Sequence, residues 1–215
     1  MTTTAETRQS IEASGAPPRS RVYAQLAVAY SFPGTSFYAG VKDGLMSTEL
    51  SAALTRLPYR LRISDLSWRA PSTYDEMQTE YIRLFQVGGR QGPPCSLHAG
   101  HHTGDRIRTL QNLIRFYDYF GFRVVECVMP DHFPVQLEFM SELSADRSLD
   151  PASIRRAQAD FLRTHLAWAE GLARLLAGGS PHPFYRSLTL LTGRFIAADR
   201  RFISQAIGGG QHAEQ

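Results

Sequence analysis

The apolar residues of this chain recur at helical spacing almost throughout. Val22, Tyr23, Leu26, Ala29 and Tyr30 step by three and four, and Ser20 ahead of them can cap a helix that Phe32-Pro33-Gly34 stops. A shorter helix is expected over 47–57. Thr73 followed by Glu76 is a capping-box signature, after which Tyr74, Met77, Tyr81 and Leu84 share a face until Gly88-Gly89. The pattern predicts a helix over 103–120, with Ile107, Leu110, Leu113, Ile114, Tyr117 and Phe120 inward and Gly121 as its C-terminal cap. Asp131 can cap another, because Pro134 then falls in the first turn, where an N–H has no helical partner to lose. The most regular run steps from Ile154 through Ala157, Phe161, His165, Trp168 and Leu172 to Leu175. A last helix over 183–207 buries Phe184, Leu188, Leu191 and Phe195. No segment alternates convincingly as a strand. The expected fold is all-α, a single-domain irregular or orthogonal bundle of about six or seven helices.

That domain should occupy 19–207. Residues 1–18 and 208–215 are small, polar and Gly- or Pro-punctuated, and read as flexible tails. A length of 215 residues suffices for a substantial core. The pI of about 9.0 invites a nucleic-acid reading. However, the basic residues are one lysine, Lys42, and 22 arginines spread from Arg8 to Arg201 among acids, with no basic strip, so no nucleic-acid partner is expected. Two cysteines, Cys95 and Cys127, are too few for a disulfide framework and fit a reducing compartment. Neither a signal-peptide pattern nor an apolar run long enough to span a membrane is present, so a cytoplasmic protein is expected.

The common catalytic signatures are missing. Gly88, Gly89 and Gly92 follow a helix rather than a strand and lead to no Gly-Lys-Ser/Thr, which argues against a phosphate loop. There is no G-x-S-x-G elbow, H-E-x-x-H pair or CxxC. Cys95, His98, His101 and His102 offer thiol and imidazole donors on a long loop over 87–102, and a small helical metal-binding protein is the alternative reading. His165 lies on an apolar stripe and reads first as a core histidine. If 131 onward is helical, Asp131, Glu138 and Glu142 line one face. Such a row suits guanidinium groups, supplied either by this chain's own arginines or by a ligand.

Four stretches, taken in order, resemble the TorD/DmsD/NarJ family of molybdoenzyme assembly chaperones. They are Glu80-Tyr81-x-x-Leu84-Phe85, Gly92-Pro93-Pro94, Phe116-Tyr117-x-x-Phe120-Gly121, and Pro130-Asp131-His132 leading into Leu137-Glu138-Phe139-Met140. Phe161-Leu162-x-x-His165-Leu166 and Pro183-Phe184-Tyr185 extend the likeness over roughly 20–205. The resemblance implies a chaperone that is not an enzyme and carries no cofactor of its own. Its partners would be the apo catalytic subunit of a molybdenum oxidoreductase and that subunit's twin-arginine signal peptide, held until the molybdopterin cofactor is inserted. Glu80, Asp131 and Glu138 would meet the arginines. Tyr81, Phe85, Phe116, Tyr117, Phe133 and Phe139 are candidates for an apolar groove, with His132, Gln136 and His165 beside them. The chain departs from the family where Gln136 replaces a common second acid and where Trp168 follows His165 one residue early. The loop over 93–102 is similar to the branch serving dimethylsulfide, ethylbenzene, selenate or chlorate enzymes.

Overall fold

A computed structural model describes residues 15–88 and 92–210. The described chain is helical, with one isolated β-bridge between His98 and His132, in keeping with the all-α class the periodicity predicts. Helix α1 (Pro18–Tyr30) begins two residues before Ser20, which lies in the first turn instead of capping it. Pro17 takes the N-cap position and Pro18 opens the first turn, where a fixed φ helps and a missing N–H is harmless. An unpredicted helix, α2 (Thr35–Lys42), precedes the short helix expected over 47–57, which forms as α3 (Leu45–Thr55), the two separated where Gly44 adopts φ +77.

Helix α4 (Tyr74–Tyr81) opens with the anticipated capping box. Thr73 accepts from Glu76 N–H while Glu76 reaches back to the Thr73 N–H. The helix widens into a π-turn over Ile82–Gln86. Helix α5 (Arg106–Tyr119) starts later than expected, with Asp105 capping the Arg108 N–H, and ends where Gly121 takes φ +68. Its inward face is narrower than the six positions predicted: Thr109, Leu113 and Tyr117 are buried, whereas Ile107 and Ile114 face out.

Helix α6 (Phe133–Ala145) is the centre of the bundle, and nine of its residues are buried. It lies along α1, where Ser141 donates to the Ser20 carbonyl at 2.9 Å and Tyr30 packs edge-on against Phe133. Opposite comes α7 (Pro151–Phe161), which continues through a π-turn at Leu162–Leu166, a 3-10 stretch at Ala167–Gly171 and the short α8 (Leu172–Leu176). The regular heptad-like run thus breaks near His165 instead of forming one helix. Helix α9 (Pro183–Gly210) closes the bundle and runs past 207, so 208–210 belong to the helix and not to a tail. At the other end Pro18, counted in the expected tail over 1–18, already belongs to α1, while 1–14 and 211–215 lie outside the described residues.

One polar network is built into this core. Asp199 on α9 is fully buried and accepts from Arg19 Nη2 at 2.8 Å and from the hydroxyls of Tyr23 and Tyr59 at 2.7 Å each. The carboxylate is saturated on both oxygens, and it ties α1, the 57–73 connection and α9 together.

Candidate functional site

The long loop turns back over the start of α6, where backbone bonds hold it. Phe133 N–H donates to the Leu97 carbonyl at 2.8 Å and Ala99 N–H to the Asp131 carbonyl at 3.0 Å. Asp131 is fully buried beneath it. Its carboxylate accepts from His98 Nδ1 and from the Gly100 N–H, both at 3.1 Å, and its carbonyl accepts from Gln136 Nε2 at 2.7 Å. Burial alone would raise this carboxyl; the His98 ring, the Gly100 N–H and the nearby Arg106 together hold it below the usual carboxylate range. A Cβ at Gly100 would sit 2.6 Å from Arg106 Cγ and 3.0 Å from Asp131 Oδ2, so a larger residue there would have to displace the Arg106 side chain and crowd the carboxylate.

Asp131 therefore precedes α6 and shares no helical face with Glu138 and Glu142; His132 holds the N-cap position. The row of three carboxylates dissolves because a clamp made by the chain itself consumes the first. Glu80 is also occupied. It takes Arg83 in a paired bond at 2.7 and 2.8 Å and the His182 N–H at 2.8 Å, which staples α4 to the turn before α9.

Glu138 and Glu142 differ. They lie one turn apart on α6, and neither has an ion-pair or hydrogen-bond partner among the described residues. Glu138 is half-buried and Glu142 stands at the surface, and both carboxyls are raised above the ordinary range, Glu138 by burial and then by the Glu142 charge, Glu142 by the partial burial of its carboxyl. Two like charges four residues apart on a helix repel one another, so this arrangement costs stability. Tyr117, whose hydroxyl donates to the Pro130 carbonyl at 3.0 Å, lies within the field of Glu138. The loop between Gly121 and Pro130 carries exposed Val125, Val128 and Met129, and its Phe122 packs against Phe139 at 5.4 Å. Sequence reasoning missed these three apolar residues because they belong to no periodic run; their signal was an apolar cluster directly after a helix cap.

The aromatic candidates are largely core. Tyr81 donates to the Tyr30 carbonyl, Phe85 packs among Tyr30, Tyr81 and Tyr185, and Phe133 sits between Tyr30 and Trp168. Phe139 is a hub touching Phe116, Tyr117, Phe120, Phe122 and Phe161. Of the six aromatics, Phe116 alone is partly exposed.

His165 packs against Phe116 and Phe161 on the seam where α7 and its continuation run antiparallel to α6. Along it the Leu143 carbonyl accepts from Gln158, Phe139 packs on Phe161 and Phe133 on Trp168. The seam contains four of the seven buried side-chain nitrogen and oxygen atoms without a protein partner among the described residues: Gln136 Oε1, both His165 ring nitrogens and Trp168 Nε1. Burial lowers His165 to about 4, so it is neutral at pH 7. His132 is likewise lowered to about 4, by burial and then by the neighbouring His98.

The Cys95, His98, His101 and His102 alternative does not assemble. Cys95 is buried, its thiol pushed up to about 12, while His98 binds Asp131 and His102 stacks on Trp168 at 4.3 Å with Nε2 2.8 Å from the Ser96 carbonyl. Among the described residues no three His, Cys, Asp or Glu side chains are grouped to hold a metal ion.

The chain belongs to the nitrate reductase delta subunit family, whose model matches residues 43–174, as the motif order implied. That is the NarJ/TorD type of molybdoenzyme assembly chaperone. A perchlorate reductase assembly chaperone protein of Dechloromonas aromatica (strain RCB) is 28% identical over 196 residues, covering 84% of this chain and 87% of the relative. Family and relative point to a non-catalytic assembly factor. No described helix is long and apolar enough to cross a membrane.

Proposed function

We propose that this chaperone serves one molybdenum oxidoreductase, binding its apo catalytic subunit in the cytoplasm and holding the twin-arginine signal peptide until the molybdopterin cofactor is inserted. The observation that carries this reading is the pair Glu138 and Glu142: two raised, mutually repelling carboxylates without partners among the described residues. A tandem arginine pair supplies two planar forks that a carboxylate pair one helical turn apart can accept. The exposed Val125, Val128 and Met129 offer the apolar stretch of the peptide a surface nearby. The relative is named for perchlorate reductase, and we place the client among enzymes of that kind instead of trimethylamine oxide reductases.

Asp131, Glu80, Gln136 and His165 act in this scheme by holding the scaffold rather than by touching the peptide. The test is calorimetric titration with synthetic twin-arginine peptides. Micromolar binding, worth roughly 8 kcal/mol, should weaken at least tenfold in Glu138→Gln and Glu142→Gln. Peptide affinity unchanged in the double variant sinks the assignment.

A further inference from the structure

A second site lies where the start of α1 meets the ends of α3 and α6. Gly15, Ala16, Pro17 and Pro18 form one wall of a cleft of about 410 Å³, and Arg21, Arg56 and Arg147 line the rest with Ala53. No acidic residue lines it among the described residues. The three arginines come from separate elements: Arg21 from α1, Arg56 from the C-cap of α3, Arg147 from the turn after α6.

Two of these placements explain themselves. Arg56 and Arg147 follow helix C-termini, where a cation complements the exposed carbonyls. Arg21 does not. It lies beside the N-terminal turn of α1, the positive end of the helix, in a turn that holds no acidic residue and whose N-cap, Pro17, offers no side-chain acceptor. Its neighbour Arg19 is neutralised by Asp199, but the Arg21 Nε is buried with no protein acceptor among the described residues. Arg56 and Arg147 likewise have no ion-pair partner among the described residues.

We propose that this cleft binds a phosphate-bearing small molecule, with a pyrophosphate group bridging Arg21, Arg56 and Arg147. Three arginines lining one cleft, with no acid among the described residues beside them, call for a ligand carrying at least two negative charges, and phosphate oxygens match the guanidinium fork. The volume falls in the range of small-ligand pockets, large enough for more than a bare anion. The site shares no residue with the Glu138 and Glu142 pair and does not depend on the signal-peptide reading.

The experiment is calorimetric titration of the full chain with pyrophosphate, a nucleoside diphosphate, citrate and sulfate at matched ionic strength, with thermal unfolding as a second readout. Arg21→Gln, Arg147→Gln, the double variant and the exposed Arg174→Gln as a control are compared. Saturable pyrophosphate binding is expected, weakened about tenfold by each single change, abolished in the double variant and retained by the control. A nucleoside diphosphate that binds at least tenfold tighter than pyrophosphate extends the ligand to a nucleotide; equal affinity confines it to the phosphates. Absence of saturation at millimolar pyrophosphate, binding that survives in the double variant, or preference for citrate overturns the proposal. Each variant is first shown to unfold within about 3 °C of wild type, the span of a surface change, so that loss of binding is not loss of fold.

Discussion

Replacing Asp131 with alanine tests whether this residue belongs to the scaffold or to the ligand. The carboxylate receives two charge-assisted bonds, from His98 Nδ1 and from the Gly100 N–H. Bonds of that kind contribute about 1.5–3 kcal/mol each, and the half-exposed His98 ring places its bond at the low end or below, so the loss should total about 2–4 kcal/mol. For a chain of this size that is a fall in Tm of about 5–12 °C. Asp131→Asn keeps an acceptor and should lose about half as much. The pH dependence has a definite sign. The native carboxyl is held below its ordinary value, so its contribution is complete above the unfolded-state value of about 3.9 and disappears as pH falls through the lower native value. Thermal unfolding followed by circular dichroism from pH 7 to pH 3 should show wild type and Asp131→Ala converging at the acid end. Calorimetry below the variant's transition should find twin-arginine peptide affinity within about twofold of wild type, far less than the tenfold that 1.4 kcal/mol represents. An unchanged Tm with lost peptide binding would refute the scaffold role and return Asp131 to the ligand surface.

The pair on α6 should show the opposite trade. Glu138→Gln and Glu142→Gln remove a like-charge contact and should raise Tm at pH 7 by about 1–2 °C while weakening the peptide; the gain should vanish at acid pH, because raised carboxyls are already protonated there. Asp199→Ala leaves Arg19 and two tyrosine hydroxyls without their acceptor and should cost about 3–5 kcal/mol, read as an early denaturant midpoint with an unchanged slope. Thr73→Ala removes the oxygen that accepts the Glu76 N–H and should cost about 1 kcal/mol; no change in Tm would mean the capping box carries no stability here.

Local signals in the sequence already settled the helical class, the capping box at Thr73, the cap at Gly121 and the burial of Phe161, Leu188 and Phe195, because each depends on residues within one or two turns. The motif order carried the family. What local spacing could not decide was which polar groups are already spent. Asp131 and Glu138 lie seven residues apart, yet one is consumed by His98 and Gly100, 33 and 31 residues upstream, while the other has no described partner. Glu80 meets His182 across 102 residues, and Arg19 meets Asp199 across 180. Periodicity likewise made Ile154–Leu175 one helix, whereas π and 3-10 turns interrupt it where His165 and Trp168 pack against α6. A side chain's spacing fixes the direction in which it points, but its availability for a ligand is fixed by what the rest of the chain brings to it, and only the packed bundle decides that.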